Sequence, residues 1–520
     1  MFLVSYDRIR GCAAYTRRCS YIFGAILVGL VSSSAALSQC RGNPVTVDAA
    51  DDLQQLVSAC PPGTTFNLAA GVHHDSITSP KSNDTFNGAS GAIENGARVL
   101  TAWKQVTINS RTYWTVPGGT PIRSDPQNAM HCQRDYPGCW LPQDLYFDNA
   151  DYVHVTSLDR VDAGRWYFDY DGNDGGVTNN VYVADDPSGH TVELGVRSYA
   201  FYSETASHVT IQNLIIEKYA QNLQDGAVES RAPGWMIQEN EIRLSHGSGV
   251  ALRPPNGGDT QILNNSLHDN GQYGFNIGRV HNVTISGNKV FHNNIDHVNT
   301  DFGSGCCKVA GYEVTVSGNT IYDNLGMGLW SDAFANGVTY SNNQVYGNTG
   351  EGIRIEVSDH QTVANNNVYD NGFGNPDEQN RRGPQIHAAS SSHVSITGNI
   401  VTASANSGGG IYVDYNARRE GCGNGCKVPM EMSVTGNRIT ILSPNIPAIQ
   451  YADYSNTFNQ WGNDGVFDQN TYCVPNENWK APTWRWGNGN PPQPINFKGW
   501  QSRRQDEHAV VSAGSCSSAQ

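Results

Sequence analysis

Between residues 209 and 437 the hydrophobic positions fall into short alternating runs, each closed by asparagine. The units read WMIQEN, TQILNN, VTISGN, VTVSGN, VTYSNN, QTVANN, VSITGN and MSVTGN, ending at Asn240, Asn265, Asn288, Asn319, Asn343, Asn366, Asn399 and Asn437. An earlier run, VTIQNLII from Val209, has Leu214 where the later units have Asn. Alternation over four to six residues predicts strands with one face buried. Successive markers stand 25, 23, 31, 24, 23, 33 and 38 residues apart, so a period of 23 or 24 is interrupted three times. The interruptions fall around GSGCCKVAG, GNPDEQNRRGPQ and ARREGCGNGCKVP, Gly-rich or polar stretches expected to loop away from the array. Short β-branched strands with Asn at one turn and Gly at another predict a parallel β-helix. Each unit is then one coil, and equivalent residues stack about 4.8 Å apart. A leucine-rich repeat would need Leu at fixed strand and helix positions, which these units lack.

The flanks follow other patterns. Residues 39–110 hold a short helical stretch, with Asp48 as a candidate N-cap and Leu53, Leu56 and Val57 at helical spacing, followed by first coils broken by Gly, Asn and Pro. Residues 111–205 show no repeat but combine alternating strands such as VYVADD with many aromatic residues, predicting a small inserted β subdomain. The array is expected over 206–445. Residues 446–520, rich in Trp, Asn and Pro, are expected to form an irregular cap over the open end. The fold class is therefore all-β: a parallel β-helix solenoid with an N-terminal capping helix, an inserted β subdomain and an irregular C-terminal cap.

Within the array a second phrase recurs: GVALR, GFNIG, GLWSD, GIRIE, GPQIH and GIYVD, ending at Arg253, Gly278, Asp332, Glu356, His387 and Asp414. With its apolar second and fourth residues inward, the third and fifth point outward. Aligned on Gly, the phrases give two outward columns: Asn276, Trp330, Arg354, Gln385 and Tyr412 in one, Arg253, Asp332, Glu356, His387 and Asp414 in the other. Acids, cations and aromatics in one stripe suit a sugar-binding cleft, walled by the insertions near 301–311, 373–384 and 416–428. Asp332 and Glu356 lie 24 residues, one uninterrupted period, apart. Their carboxyls are expected about 5 Å apart, the spacing used by retaining glycosidases. Two carboxylates that close cannot both ionise easily, which yields an acid beside a nucleophile. Trp330, Arg354, His387, Tyr412, Asp414, Asn276 and Arg253 are the candidate substrate-binding residues. No metal site is assigned: Asp296, His297, Asn299 and Asp301 read as hydrogen-bonded turn residues.

Residues 206–445, and by extension those from residue 40, resemble the right-handed parallel β-helix superfamily to which pectate lyases and several glycoside hydrolase families belong. More locally, G-L-W-x-D followed one coil later by I-x-I-E-V-S is similar to the β-helical xylosidases of glycoside hydrolase family 120. In those enzymes the Asp of the first phrase is the nucleophile and the Glu of the second the general acid/base. The resemblance implies those roles for Asp332 and Glu356. It covers about 30 residues, and Asp359-His360 stands where the family has His-Gly.

Composition narrows the setting. Residues 1–38 read as an export signal: Arg8, Arg10, Arg17 and Arg18 precede the apolar run IFGAILVGLV and the small residues around Ala36. Cleavage would take the net charge from −15 to about −18. So acidic a chain argues against nucleic acid and against electrostatic capture of polyanions. Of twelve Cys, ten lie beyond residue 38. Cys40 with Cys60, Cys132 with Cys139, Cys422 with Cys426 and Cys473 with Cys516 are candidate disulfides, and the Cys306-Cys307 pair reads as a disulfide end. The expected protein is secreted, extracellular or periplasmic, off the membrane after cleavage, monomeric and bound to carbohydrate. The leading expectation is a retaining glycoside hydrolase acting on a plant or microbial polysaccharide or oligosaccharide, without cofactor. The alternatives are a polysaccharide lyase or epimerase, for which Ca²⁺ would be called for, and a non-catalytic glycan-binding or surface structural β-helix.

Overall fold

The structure, a computed structural model, describes residues 40, 42–172, 176–300, 302–374, 383–416, 428–475, 483–489, 492–514 and 516. The expected export signal, Asp301 and the Cys422/Cys426 pair lie outside these residues. Among the described residues three long sheets, of 13, 12 and 13 strands, run along one solenoid, with a separate eight-stranded sheet beside them. Each coil visits the three sheets in turn: Met236–Gln238, Glu241–Arg243 and Ser248–Leu252 form one such set, and Thr339–Ser341, Gln344–Tyr346 and Ile353–Glu356 another. Pairing between coils is parallel throughout, for example Thr339 with Thr362 and Val345 with Val368. Inward residues such as Ile353, Ile355, Val345 and Tyr340 are fully buried in one continuous core. That burial drives stacking, since no single coil can cover its own apolar face.

The asparagine marker is a corner device. In each coil it follows a residue in the left-handed backbone region, such as Asn264 (φ 54°), Gly287 (φ 70°), Asn342 (φ 55°) or Gly398 (φ 66°). Asn and Gly tolerate that region best, which explains the NN and GN pairs in the repeat. The following Asn is buried and fully bonded. Asn343 Nδ2 donates to Val316 O (2.9 Å) and Asn366 Oδ1 (3.0 Å), while Asn343 Oδ1 accepts from Asn319 N (2.9 Å) and Nδ2 (3.0 Å). This ladder runs from Asn240 to Asn470 and ends on Asp506 Oδ1. A second ladder at the next corner links Asn270, Asn293, Asn324, Asn348 and Asn371 and ends on Gln385 Oε1.

The helix Leu53–Ala59 buries Leu53, Leu56 and Val57 against the first coils. Its N-cap is Asp52, whose carboxylate accepts from Gln55 N at 2.8 Å, and not Asp48. The chain leaves the solenoid after Ala92–Asn95 and rejoins it at Phe201–Ser203. Between them, strands from Ala97–Val99 to Val192–Gly195 build the eight-stranded sheet around Leu145, Trp166, Phe168 and Leu194. Parallel coils continue past residue 445: Ile449–Asp453 pairs with Gly409–Tyr415, and Thr471–Val474 with Arg438–Ile441 and Val510–Ala513. Insertions there had stretched the sequence period beyond recognition. The short helix Phe497–Gln501 places Trp500 against Phe467 and Trp486, covering the end of the core. Disulfides join Cys40 to Cys60, Cys132 to Cys139, Cys306 to Cys307 and Cys473 to Cys516.

Candidate active site

The outward face of the 12-stranded sheet carries the candidate chemistry. Ser331 pairs with Ile355, so the residues that follow them, Asp332 just past the end of its strand and Glu356 at the end of its own, occupy equivalent places in successive coils. Adjacent strands lie about 4.8 Å apart, which sets the expected scale of their separation. One column inward of them, the register runs Asn276, Lys308, Trp330, Arg354, His387, Tyr412, Gln450 and Arg485.

Two placements differ from those read off the sequence. His387 pairs with Arg354 and not with Glu356, whose partner is Ala389. Gln385 is buried and closes the second asparagine ladder. Aligning Gly352 with Gly383 implied a step of 31 residues, whereas Ile353 pairs with Ile386, a step of 33, the same as from Asn366 to Asn399. The segment GSGCCKVAG, expected as a loop, contains the strand Gly305–Val309 and supplies Lys308 to the column.

Each member of the pair has its own cation. Lys308 Nζ lies 2.8 Å from Asp332 Oδ2 and 4.3 Å from the centre of the Trp330 ring. Trp330 is only 4% exposed, so it packs under that ammonium and offers no bare face for stacking on a sugar. Arg354 Nε lies 2.9 Å from Glu356 Oε2, and its Nη1 lies 3.1 Å from Glu351 Oε1. His387 then bridges two acids, with Nδ1 2.9 Å from Glu351 Oε1 and Nε2 2.7 Å from Asp414 Oδ2. Tyr454 OH donates to Asp414 Oδ2 at 3.4 Å and accepts from Gln450 Nε2 at 2.7 Å. Burial pulls the His387 imidazole down, but Asp414 and Glu351 outweigh it and raise its pKa to about 10. Burial likewise acts to raise the Glu351 pKa, and Arg354 with His387 overcomes it, lowering it to about 2. His387 is therefore an imidazolium at neutral pH, unable to serve there as a base.

Glu351 was missed in the sequence because it precedes the phrase glycine at a corner. Its only signal there is the three-residue offset to Arg354. Arg253 and Asn276 lie further along the stripe, where both side chains donate to Gln224 O and hold that corner. The Tyr412 hydroxyl donates to Gly408 O, and its ring meets His387 edge-on, the centres 6.1 Å apart. Most of the loops expected to wall the cleft, 375–382 and 417–427, lie outside the described residues. A cavity of about 560 Å³ opens on a different flank, between the inserted sheet and the third long sheet.

The family model for right-handed β-helix regions matches residues 179–336 and 222–401. No curated protein matches the chain in sequence at a significant level. Among solved structures, the chain is similar to XylC in its complex with xylose (TM-score 0.61, 14% identity, covering 90% of this chain and 83% of that one). It is also similar to the A-module of the mannuronan C-5 epimerase AlgE6 of Azotobacter vinelandii (TM-score 0.48, 13% identity, 91% and 97% covered). A third similar structure is a tailspike of an Acinetobacter baumannii bacteriophage, a capsular polysaccharide depolymerase (TM-score 0.40, 10% identity, 89% and 64% covered). At 14% identity the likeness to XylC speaks to fold alone. Among the described residues no helix is long and apolar enough to cross a membrane. Coil order, parallel register and family model agree that this chain is a right-handed parallel β-helix protein.

Proposed function

We propose that this protein is a secreted retaining glycoside hydrolase in which Asp332 is the nucleophile and Glu356 the general acid/base. The observation that carries the reading is the placement of the two carboxylates on successive coils, each with a separate cation. A pair on the order of 5 Å apart leaves no room for a water between sugar and base, so displacement proceeds through a glycosyl ester. Lys308 Nζ contacts the carboxylate of Asp332, the group that would attack the sugar. Glu356 is more deeply buried than Asp332, with side-chain exposures of 6% and 22%. As the acid/base, Glu356 has to carry a proton when substrate binds. Glu356 would give that proton to the leaving oxygen and then take one from the water that cleaves the ester.

The xylose bound by XylC makes aryl β-xylosides the first substrates to try, followed by a panel of aryl glycosides and plant and microbial glycans. Asp332→Asn and Glu356→Gln should each lower turnover at least ~10³-fold while the unfolding temperature stays within a few degrees. Full activity in both variants would remove the proposal. A lyase or epimerase would use Arg or His as base, and here His387 is held between Glu351 and Asp414 while Arg354 is paired with Glu351 and Glu356. The hydrolase reading is therefore preferred.

A further inference from the structure

The inserted sheet meets the solenoid through a buried group of carboxylates and imidazoles. Asp144 comes from the insert, and His246 and Asp296 from corners of two coils separated by the coil that carries Ser266–His268. His246 Nδ1 lies 3.1 Å from Asp144 Oδ1 and 2.9 Å from Asp296 Oδ2. All three residues are buried, and one ligand atom from each falls within 4.8 Å of the others. Donor separations near 3 Å suit hydrogen bonds, but they are also the edge lengths of a coordination shell with bonds of about 2.1 Å.

Other observations favour the shell. Asp144 and Asp296 line a cavity of about 10 Å³ together with Asp151 and His154. His154 is 6% exposed, and its Nδ1 contacts Gln143 O at 3.1 Å. A carbonyl only accepts, so the proton sits on Nδ1 and Nε2 presents a lone pair. That Nε2 is buried without a hydrogen-bond partner, as is Asp151 Oδ1. An imidazole that donates one nitrogen to a backbone carbonyl and leaves the other bare, on a cavity also lined by carboxylates, has the protonation pattern of a metal-binding histidine. The small cavity has room for one ion or one water. Its lining residues Tyr136, Asp151, Val153 and Ile295 also line the 560 Å³ cavity, which gives a path from solvent.

We propose that Asp144, Asp296 and His246, beside the small cavity that Asp151 and His154 also line, bind a divalent first-row transition cation of the Zn²⁺ or Mn²⁺ class. Imidazole nitrogen among carboxylates suits these ions better than Ca²⁺, which takes oxygen ligands. The cation clamps the inserted sheet to the solenoid. It also anchors the segment that follows Asp296, where His297 stacks on Tyr136 and Phe302 on His131. That segment ends at Gly303, packed so closely that a Cβ there would lie 2.3 Å from the Tyr273 hydroxyl and 3.2 Å from the Trp330 ring. The clamp thus reaches toward the Asp332 column without supplying any of its groups.

The test uses the full-length protein, stripped with a chelator and dialysed against ZnCl₂ or MnCl₂, with metal measured by mass spectrometry. Expected are about one tightly held equivalent, a rise in unfolding temperature on loading, and an anomalous-scattering peak between Asp144, His246 and Asp296 in crystals. Asp296→Asn should weaken binding at least ~10-fold, while Asp359→Asn, in the exposed group with His360 and His393, should leave it unchanged. The proposal is overturned if folded wild-type protein takes up no equivalent, if the peak lies only at Asp359, or if Asp296→Asn binds as well as wild type. Should Asp296→Asn not fold, the wild-type stoichiometry and the position of the peak decide.

Discussion

Lys308 Nζ lies 2.8 Å from Asp332 Oδ2, reaching it diagonally from the preceding strand. The same ammonium covers the Trp330 ring, so the cation is held by both a charge and an aromatic face. If Asp332 is the nucleophile, Lys308→Met should lower kcat/KM by about 10- to 100-fold, most of it in kcat, with the unfolding temperature nearly unchanged. Steady-state kinetics on the first aryl glycoside found to be cleaved checks this. Wild-type kinetics in the variant would separate Lys308 from the chemistry.

The His387 pairings should show in the pH dependence of stability. With a pKa raised to about 10 from an ordinary 6.5, His387 contributes stability that is fully present below 6.5 and is lost as pH rises through 10. Glu351, lowered to about 2, contributes stability present above 4.5 and lost as pH falls through 2. The stability advantage of wild type over His387→Gln should therefore be largest near pH 5 to 6 and shrink steadily toward pH 10. Thermal unfolding of both proteins across that range measures it, and a constant difference would show that the pairing carries no net charge interaction.

Asn343 tests the corner ladder. Its side chain makes four hydrogen bonds within a buried column, and truncation leaves Asn319 and Asn366 groups unpaired. Asn343→Ala should cost about 3 kcal/mol or more, at the upper end for buried polar groups. Gln344→Ala, on the exposed side of the same coil, should cost under about 0.5 kcal/mol. Chemical denaturation compares them, and equal small losses would mean that the ladder is ornament on a fold held by its core.

How far the molecule was legible in its sequence depended on which marker was followed. The ladder Asn must sit one residue after a left-handed corner, so its spacing reports coil length even across an insertion. From Asn343 to Asn437 it counted every coil. The phrase glycine has no such constraint. Gly383 is not the counterpart of Gly352, and following it shifted His387 by two places. Lys308 was hidden because two cysteines and flanking glycines made its strand look like a loop. Of the Asp144–His246–Asp296 group only Asp296 stood out in the sequence, and it read as a turn residue, since Asp144 lies 102 residues from His246 and is brought there by the inserted sheet. Local pattern announces what repeats, and these contacts do not repeat.

The stereochemistry of cleavage tests the central claim most directly. If Asp332 and Glu356 on adjacent coils act as a double-displacement pair, proton NMR of the first turnover on an aryl glycoside should show the product released with the anomeric configuration of the substrate. Release of the inverted anomer, or of an unsaturated product absorbing in the ultraviolet, would contradict the account.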